Sequence, residues 1–224
     1  MHEWDQKKIN IAVFDIDKTL LLGTSAEIQL VRYLYKKKII NAEDIIKSIL
    51  KTLLQIFRGF DWVIYNKSRY LEGVEKEVII SHLPEFFENF IWPRISEELL
   101  LCLKDLKKKN FEIILISGTL DFLMTPFIEK LNADGGIGSH MEVNNGKFSG
   151  RITNIYPYKH GKISALKHYL KEREVDYAHS YAFADSLADI PLLKLFGNSV
   201  VINPGFLLWL RAKMEKWKVM KLKK

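Results

Sequence analysis

The apolar run Ile11-Ala12-Val13-Phe14 ends in two carboxylates one residue apart, Asp15 and Asp17. Such a run near the start of a chain reads as a buried parallel strand, here over residues 9–16. Side chains at i and i+2 of a strand share one side, so both carboxylates aim into one small volume. Like charges held that close force one of them to be neutral unless a cation shares the site. A hard divalent ion with oxygen ligands, such as Mg2+, meets that need. Lys18 should point away, while the Thr19 hydroxyl lies within reach of the same turn. An isolated Asp-x-Asp reads as an acidic cap on the loop after a strand, so its weight depends on what the rest of the chain supplies.

Three further fragments bear on the same chemistry, and two of them end apolar runs. Ser117-Gly118-Thr119 follows Phe111–Ile116, and Asp185 and Asp189 follow Tyr181–Ala184. Lys162 follows a glycine turn at His160-Gly161. Strands alternating with helices predict an α/β fold with a doubly wound, mostly parallel sheet, Rossmann-like in plan. Such sheets place ligands beyond the C-terminal ends of their strands. Asp15, Asp17, Ser117 and Asp185 all fall there.

From Ser25 to about Phe90 the pattern is helical and contains no strand, which predicts an inserted α-helical cap. Ser25 is the expected N-cap of a helix with Ile28, Leu30, Val31 and Leu34 on its apolar face. Asn41 should cap a second helix facing inward through Ile45, Ile46, Ile49, Leu50 and Leu53. Asp61 should open a third with Trp62, Ile64, Tyr65, Tyr70 and Leu71, and residues 81–90 a fourth. After Trp92-Pro93 the spacing predicts a helix from Ser96, strand 111–116, helix 121–131, a hairpin of 136–143 with 147–152, and helix 160–174. Strand 178–184, helix 187–195, strand 198–202 and a helix opened by Asn203 and Pro204 complete the chain. The domain division is therefore 1–22 with 93–224 for the core and 23–92 for the cap.

Together, FDIDKTL, ISGT, Lys162 and ADSLADIPLL resemble, in this order and spacing, the four motifs of the haloacid dehalogenase superfamily of phosphohydrolases. The likeness covers nearly all of the chain. The segment Asn145–Arg151 ahead of the lysine is similar to the phosphoserine-phosphatase-like branch. The resemblance implies a Mg2+-dependent phosphatase acting on a small phosphorylated metabolite through an aspartyl-phosphate on Asp15. Asp17 is implied as general acid and base, with its main-chain carbonyl joining Asp15 and Asp185 at the metal. Ser117, Gly118 and Lys162 are implied at the phosphate, with Lys159 the alternative lysine and His160 incidental. Thr19 and Asp189 support the site, Asp189 through water or by orienting Lys162. Where phosphoserine phosphatases carry a substrate-binding glutamate, this chain has Thr24, with Glu27 three residues later. Where they carry an asparagine before the last aspartate, it has Ala188. Both departures argue against phosphoserine as substrate. The cap's aromatics, Phe57, Phe60, Trp62, Tyr65, Tyr70, Phe86 and Phe87, read mainly as its own core. Trp62, Tyr65 and Arg69 are the expected selectors of substrate.

The remaining readings are set by charge and cysteine content. The formal net charge of +7 fits an anionic partner or a lysine-rich solvated surface. Neither a zinc-ligand spacing nor an RNA-binding signature marks a nucleic-acid module. The one cysteine, Cys102, excludes an internal disulfide and reads as a buried structural thiol. Runs of at most five apolar residues predict no transmembrane helix, and a polar N-terminus makes the cytoplasm the expected compartment. Two alternatives accompany the phosphatase reading: a phosphotransferase or mutase using the same intermediate, and a non-catalytic basic module binding anionic lipid or nucleic acid. Phe206–Leu210, followed by many lysines, suits an interfacial membrane helix, but the favoured reading is a helix packed on the sheet with a frayed basic end.

Overall fold

A computed structural model describes residues 8–54 and 68–223, with the side chains of 51–54 outside that description. Strand β1 (Ile11–Asp15) lies in the middle of a six-stranded sheet ordered β3-β2-β1-β6-β7-β8, and every pairing in it is parallel. Its neighbours are β2 (Glu112–Leu120) and β6 (Tyr181–Ala184). β7 (Asn198–Ile202) and β8 (Lys218–Met220) extend one side, and β3 (Gly135–Ser139) the other. All five β1 residues are buried, as a continuous apolar run between two helical layers requires. Phe14 stacks on Phe183 across the strand pair at 4.1 Å.

The side-chain alternation of β1 divides the core in two. Ala12, Phe14 and Ile16 face a cluster with the cap and with helices α4 (Glu97–Lys108) and α5 (Asp121–Leu131). Ile11 and Val13 face a second cluster with α6 (His160–Leu170), α7 (Ile190–Leu195) and α8 (Phe206–Met214). Helices on both faces of a parallel sheet make the doubly wound plan that the sequence predicts.

Between β1 and β2 the described residues contribute helices and turns, and no strand of the main sheet. α1 (Ala26–Lys36) starts where Ser25 Oγ accepts from the Ile28 N–H. Ile28 itself is exposed, and the buried face runs through Ala26, Leu30, Tyr33 and Leu34, with Gln29 among them. α2 (Ala42–Leu54) is capped by Asn41, whose Oδ1 accepts from Asp44 N–H at 2.9 Å. Its expected inward residues Ile46, Ile49 and Leu50 are exposed, Ser48 is the buried one among its described side chains, and Leu53 lies outside them. The expected third helix with Trp62, Ile64 and Tyr65, together with Phe57 and Phe60, lies outside the described residues. Tyr70 and Leu71 are buried in the short turn Arg69–Leu71. α3 (Lys76–Phe86) begins five residues before the expected 81 and passes through Phe87–Ile91 as a π-helical turn. The two passages between cap and core run side by side: Leu22 N–H donates to Arg94 C=O and Ser96 N–H to Leu20 C=O.

The expected strand 136–143 is two strands. β3 pairs with β2, and after His140 the chain turns into β4 (Met141–Asn144), which pairs with β5 (Lys147–Ile152). Asn145 (φ 49°) and Gly146 (φ 77°) form the two-residue hairpin turn. This hairpin grips the cap: Gly73 N–H donates to Phe148 C=O, Phe148 N–H to Val74 C=O and Lys76 N–H to Gly146 C=O. Gly150 (φ 75°) lies against Arg69, where an added Cβ would come within 3.1 Å of Arg69 Cα.

The chain's end also departs from expectation. α8 starts at Phe206 after Gly205, because the Asn203 side chain is bonded to the backbone of Leu222 instead of capping the helix. The basic segment is not frayed but returns as β8 alongside β7. Cys102 is half-buried rather than fully buried, and burial pushes its thiol up. No helix among the described residues is long and apolar enough to cross a membrane.

Candidate active site

Asp15 closes β1 opposite Ile116 of β2, and the chain turns tightly after it, with Leu21 N–H donating to Ile16 C=O at 2.9 Å. Lys18 takes a left-handed conformation (φ 65°) in that turn and is exposed, as expected. The turn buries Thr19 completely. Its Oγ1 lies 3.0 Å from Asp15 Oδ2 and 3.3 Å from Asp185 Oδ1, so its single proton can serve either carboxylate.

Lys162 reaches this point from the first turn of α6. Gly161 makes the approach feasible, since a Cβ there would stand 2.1 Å from Tyr156 C=O. The Lys162 Nζ is 2.5 Å from Asp15 Oδ1 and 2.6 Å from Asp189 Oδ1. All three groups are nearly sealed from solvent, at 4%, 4% and 3% exposure for Lys162, Asp15 and Asp189. Asp189 sits in a single 3-10 turn, Leu187–Asp189, and accepts from Ser186 Oγ at 2.5 Å. Lys159 is exposed, with its Nζ over the Tyr158 ring, so Lys162 is the lysine at the carboxylates.

Asp15, Asp185 and Asp189 each offer an oxygen within 4.8 Å of the others. Burial, reinforced by the three neighbouring aspartates, holds the Asp15 carboxyl well above the usual range despite Lys162. Burial and then Asp189 push Asp185 up to about 6, against the pull of Lys162, Lys18 and the Thr19 hydroxyl. Burial alone would lower the Lys162 ammonium, but Asp15 and Asp189 together outweigh it and raise it. The donor set is all oxygen, crowded and short of positive charge, which suits a hard divalent cation.

The Asp17 side chain turns away from this cluster. Its Oδ1 accepts from the Ala26 N–H at 2.8 Å, at the positive end of α1, and its Oδ2 from Ser117 Oγ at 3.2 Å. Ser117 and Gly118 do not lie in a strand-to-helix turn. β2 continues through them to Leu120 with an irregular register against β3, and α5 starts only at Asp121. Gly118 lies under Tyr156, whose Oη an added Cβ would meet at 2.8 Å. Tyr156 and Ser186 are contacts beyond those expected from the motifs. Ser186 adjoins Asp185 and was within reach of a motif argument, whereas Tyr156 carried no local signal. Gln29, buried beside the motif, donates to Thr24 Oγ1 at 2.8 Å. Of the expected selectors, Trp62 and Tyr65 lie outside the described residues, while Arg69 is half-buried against the β4–β5 hairpin.

A family model for haloacid dehalogenase-like hydrolases matches residues 12–194. The chain is 28% identical over 225 residues to a histidinol-phosphatase of Neisseria meningitidis, spanning 96% of this chain and 99% of that protein. It is 24% identical over 214 residues to the phosphoserine phosphatase SerB1 of Mycobacterium tuberculosis, spanning 93% and 69%. Among solved structures, a protein of unknown function from Bordetella pertussis Tohama I matches with a TM-score of 0.82 at 20% identity, over 95% and 98% of the two chains. A phospho-aspartyl intermediate analogue of phosphoserine phosphatase matches with a TM-score of 0.67 at 20% identity, over 97% and 95%. These structural likenesses speak to the fold, and the non-catalytic module is set aside by the family match. With that match running from β1 through Lys194, this chain belongs to the haloacid dehalogenase-like hydrolase family and is a phosphatase of that family.

Proposed function

We propose that the protein is a Mg2+-dependent phosphatase that hydrolyses a small phosphomonoester through an aspartyl-phosphate on Asp15. The observation that carries the reading is the setting of Asp15: a strand-end carboxylate bonded to Lys162 on one oxygen and to Thr19 on the other, among further acids. Asp15 and Asp185, with the Asp17 main-chain carbonyl that the family resemblance adds, would hold the metal. When bound, Mg2+ supplies the positive charge that lets an anionic nucleophile approach an anionic phosphate. Asp189, engaged by Lys162 and Ser186, orients the lysine.

The protein's own groups carry the proton and bond changes. Asp15 attacks phosphorus, and the ester P–O bond breaks as the new O–P bond forms. Asp17, held away from the metal cluster by the α1 N-terminus, gives a proton to the departing alkoxide. It then takes one from the water that attacks the acyl-phosphate, which restores Asp15 and frees phosphate. Ser117 Oγ and the Gly118 N–H bind phosphate oxygens, with Lys162 balancing charge at the nucleophile. Residues 23–92 act as a cap over this chemistry and residues 1–22 with 93–224 as the core, supported by the paired passages at Leu22–Arg94 and Leu20–Ser96.

Histidinol phosphate heads the list of substrates to test, because the histidinol-phosphatase relative spans nearly the whole chain. Thr24 and Ala188 place phosphoserine lower. Rates across phosphorylated metabolites, with Mg2+ and with EDTA, test substrate and metal together. Asp15→Asn should abolish turnover and leave no phosphoenzyme. Asp17→Asn should lose roughly 10²–10⁴-fold, yet accumulate phosphoenzyme from p-nitrophenyl phosphate, seen by acid quench and mass analysis. Turnover by Asp15→Asn would overturn the nucleophile assignment. Transfer to an added alcohol in preference to water would mark a phosphotransferase or mutase.

A further inference from the structure

α8 is apolar on both sides. It packs inward through Leu208 and Ala212, which join the second core cluster. Directly opposite, Phe206, Leu210 and Met214 recur at i, i+4 and i+8, with Leu207 beside them on an arc of about 100°. These four are 73%, 45%, 68% and 62% exposed. With Arg211 and Lys213 on its flanks, α8 carries apolar residues on two opposite faces; the inward face is covered and the outward one meets solvent.

Charge is concentrated at the same place. Eight basic residues and one acid fall in residues 190–224, a net of +7, which equals the formal net charge of the entire chain. Residues 1–189 are therefore balanced. The one acid, Glu215, is already paired with Arg211 and with Lys194. Lys213, Lys216, Lys218, Lys221 and Lys223 are exposed. Trp209 stacks on Phe206 at 6.2 Å and lies under the Lys213 ammonium at 5.8 Å.

We propose that the outward face of α8, with the basic segment that follows it, docks the protein on an anionic membrane surface. Aliphatic and aromatic side chains set among lysines are what an interfacial helix presents: the apolar face enters the headgroup boundary and the ammonium groups meet lipid phosphates. A nucleic acid would use the lysines but leave Phe206, Leu210 and Met214 in water. A second copy would cover the apolar face, but it would bring two like-charged segments together.

The test uses the full chain and vesicles of mixed phosphatidylglycerol and phosphatidylcholine. The protein should sediment with mixed vesicles, not with pure phosphatidylcholine, and less so as salt rises. The triple variant Phe206→Ser, Leu210→Ser, Met214→Ser keeps all charges. It should bind at least about tenfold more weakly, a loss of about 1.4 kcal/mol, with hydrolysis of a soluble phosphomonoester unchanged. A variant with Lys213→Gln, Lys216→Gln and Lys218→Gln should also weaken binding and flatten its salt dependence. The proposal is overturned if the unmodified protein ignores mixed vesicles, or if the triple serine variant binds them equally well. It is also overturned if the unmodified protein is a dimer that those serines convert to monomer.

Discussion

Two lysine–carboxylate pairs of nearly equal length behave differently in this molecule. Lys162 meets Asp15 at 2.5 Å in the core, and Lys37 meets Glu85 at 2.7 Å in the cap. The first pair is sealed from water, and the second is about half exposed. Glu85 is drawn down by Lys37 and then by the Tyr33 hydroxyl, and burial with Glu85 pushes Tyr33 up to about 12. The Tyr33 hydroxyl bonds both Glu85 and His82, so that cap network lies at a half-exposed surface. In the core, one ammonium faces three buried or half-buried aspartates, and Asp15 and Asp185 are pushed the other way. Contact length alone therefore does not tell a structural ion pair from a site poised to take up further positive charge. Burial and the local excess of one sign do.

Lys162→Met should have the largest effect. Removing one partner of a buried pair typically costs about 3–5 kcal/mol, so Tm should fall by roughly 10 °C and turnover should be lost. Mg2+ should recover part of the Tm, because it supplies charge to the same carboxylates. A Tm equal to that of the unmodified protein would show that the lysine does not compensate them.

A smaller effect comes from pH. Asp185 is raised to about 6 from an ordinary 3.8, so the fold binds its proton more tightly than the unfolded chain does. Its contribution to the metal-free protein is favourable relative to neutral pH when both states are protonated, below about 4. It is lost as pH rises towards and through 6, and Asp15 acts in the same direction. Mg2+ must displace those protons, so its Tm gain should be larger at pH 7.5 than at pH 5. An equal gain at both values would mean that the carboxyls are not protonated in the metal-free protein.

The smallest effect is expected in the cap. Lys37→Gln removes an exposed pair of the kind that contributes little. It should leave kcat/KM unchanged and shift Tm by a small fraction of the Lys162→Met shift. A comparable shift in thermal melts would erase the distinction between the two pairs.

Features with a local cause are legible in the sequence. The apolar run ending at Asp15, the Ser25, Asn41 and Ser96 caps, helix Asp121–Leu131 and the Asn145-Gly146 turn each follow from a few neighbouring residues. Asp15, Lys162 and Asp185 were legible because parallel strands end on one edge of a sheet and the motif order supplied their partners. Features that depend on distant partners arise only in the folded chain. The three residues of β8 lie among lysines and carry no strand pattern, so only pairing with β7 makes them a strand. The split of residues 136–143 arises because β3 pairs with β2 while β4 pairs with β5. α2 and α8 both display apolar faces to solvent, because periodicity gives a face but not what stands opposite it. The sequence predicts that Asp189 acts through water or by orienting Lys162. The direct 2.6 Å ion pair exists because a 3-10 turn and the first turn of α6 converge on one buried point, and no spacing along the chain encodes that distance.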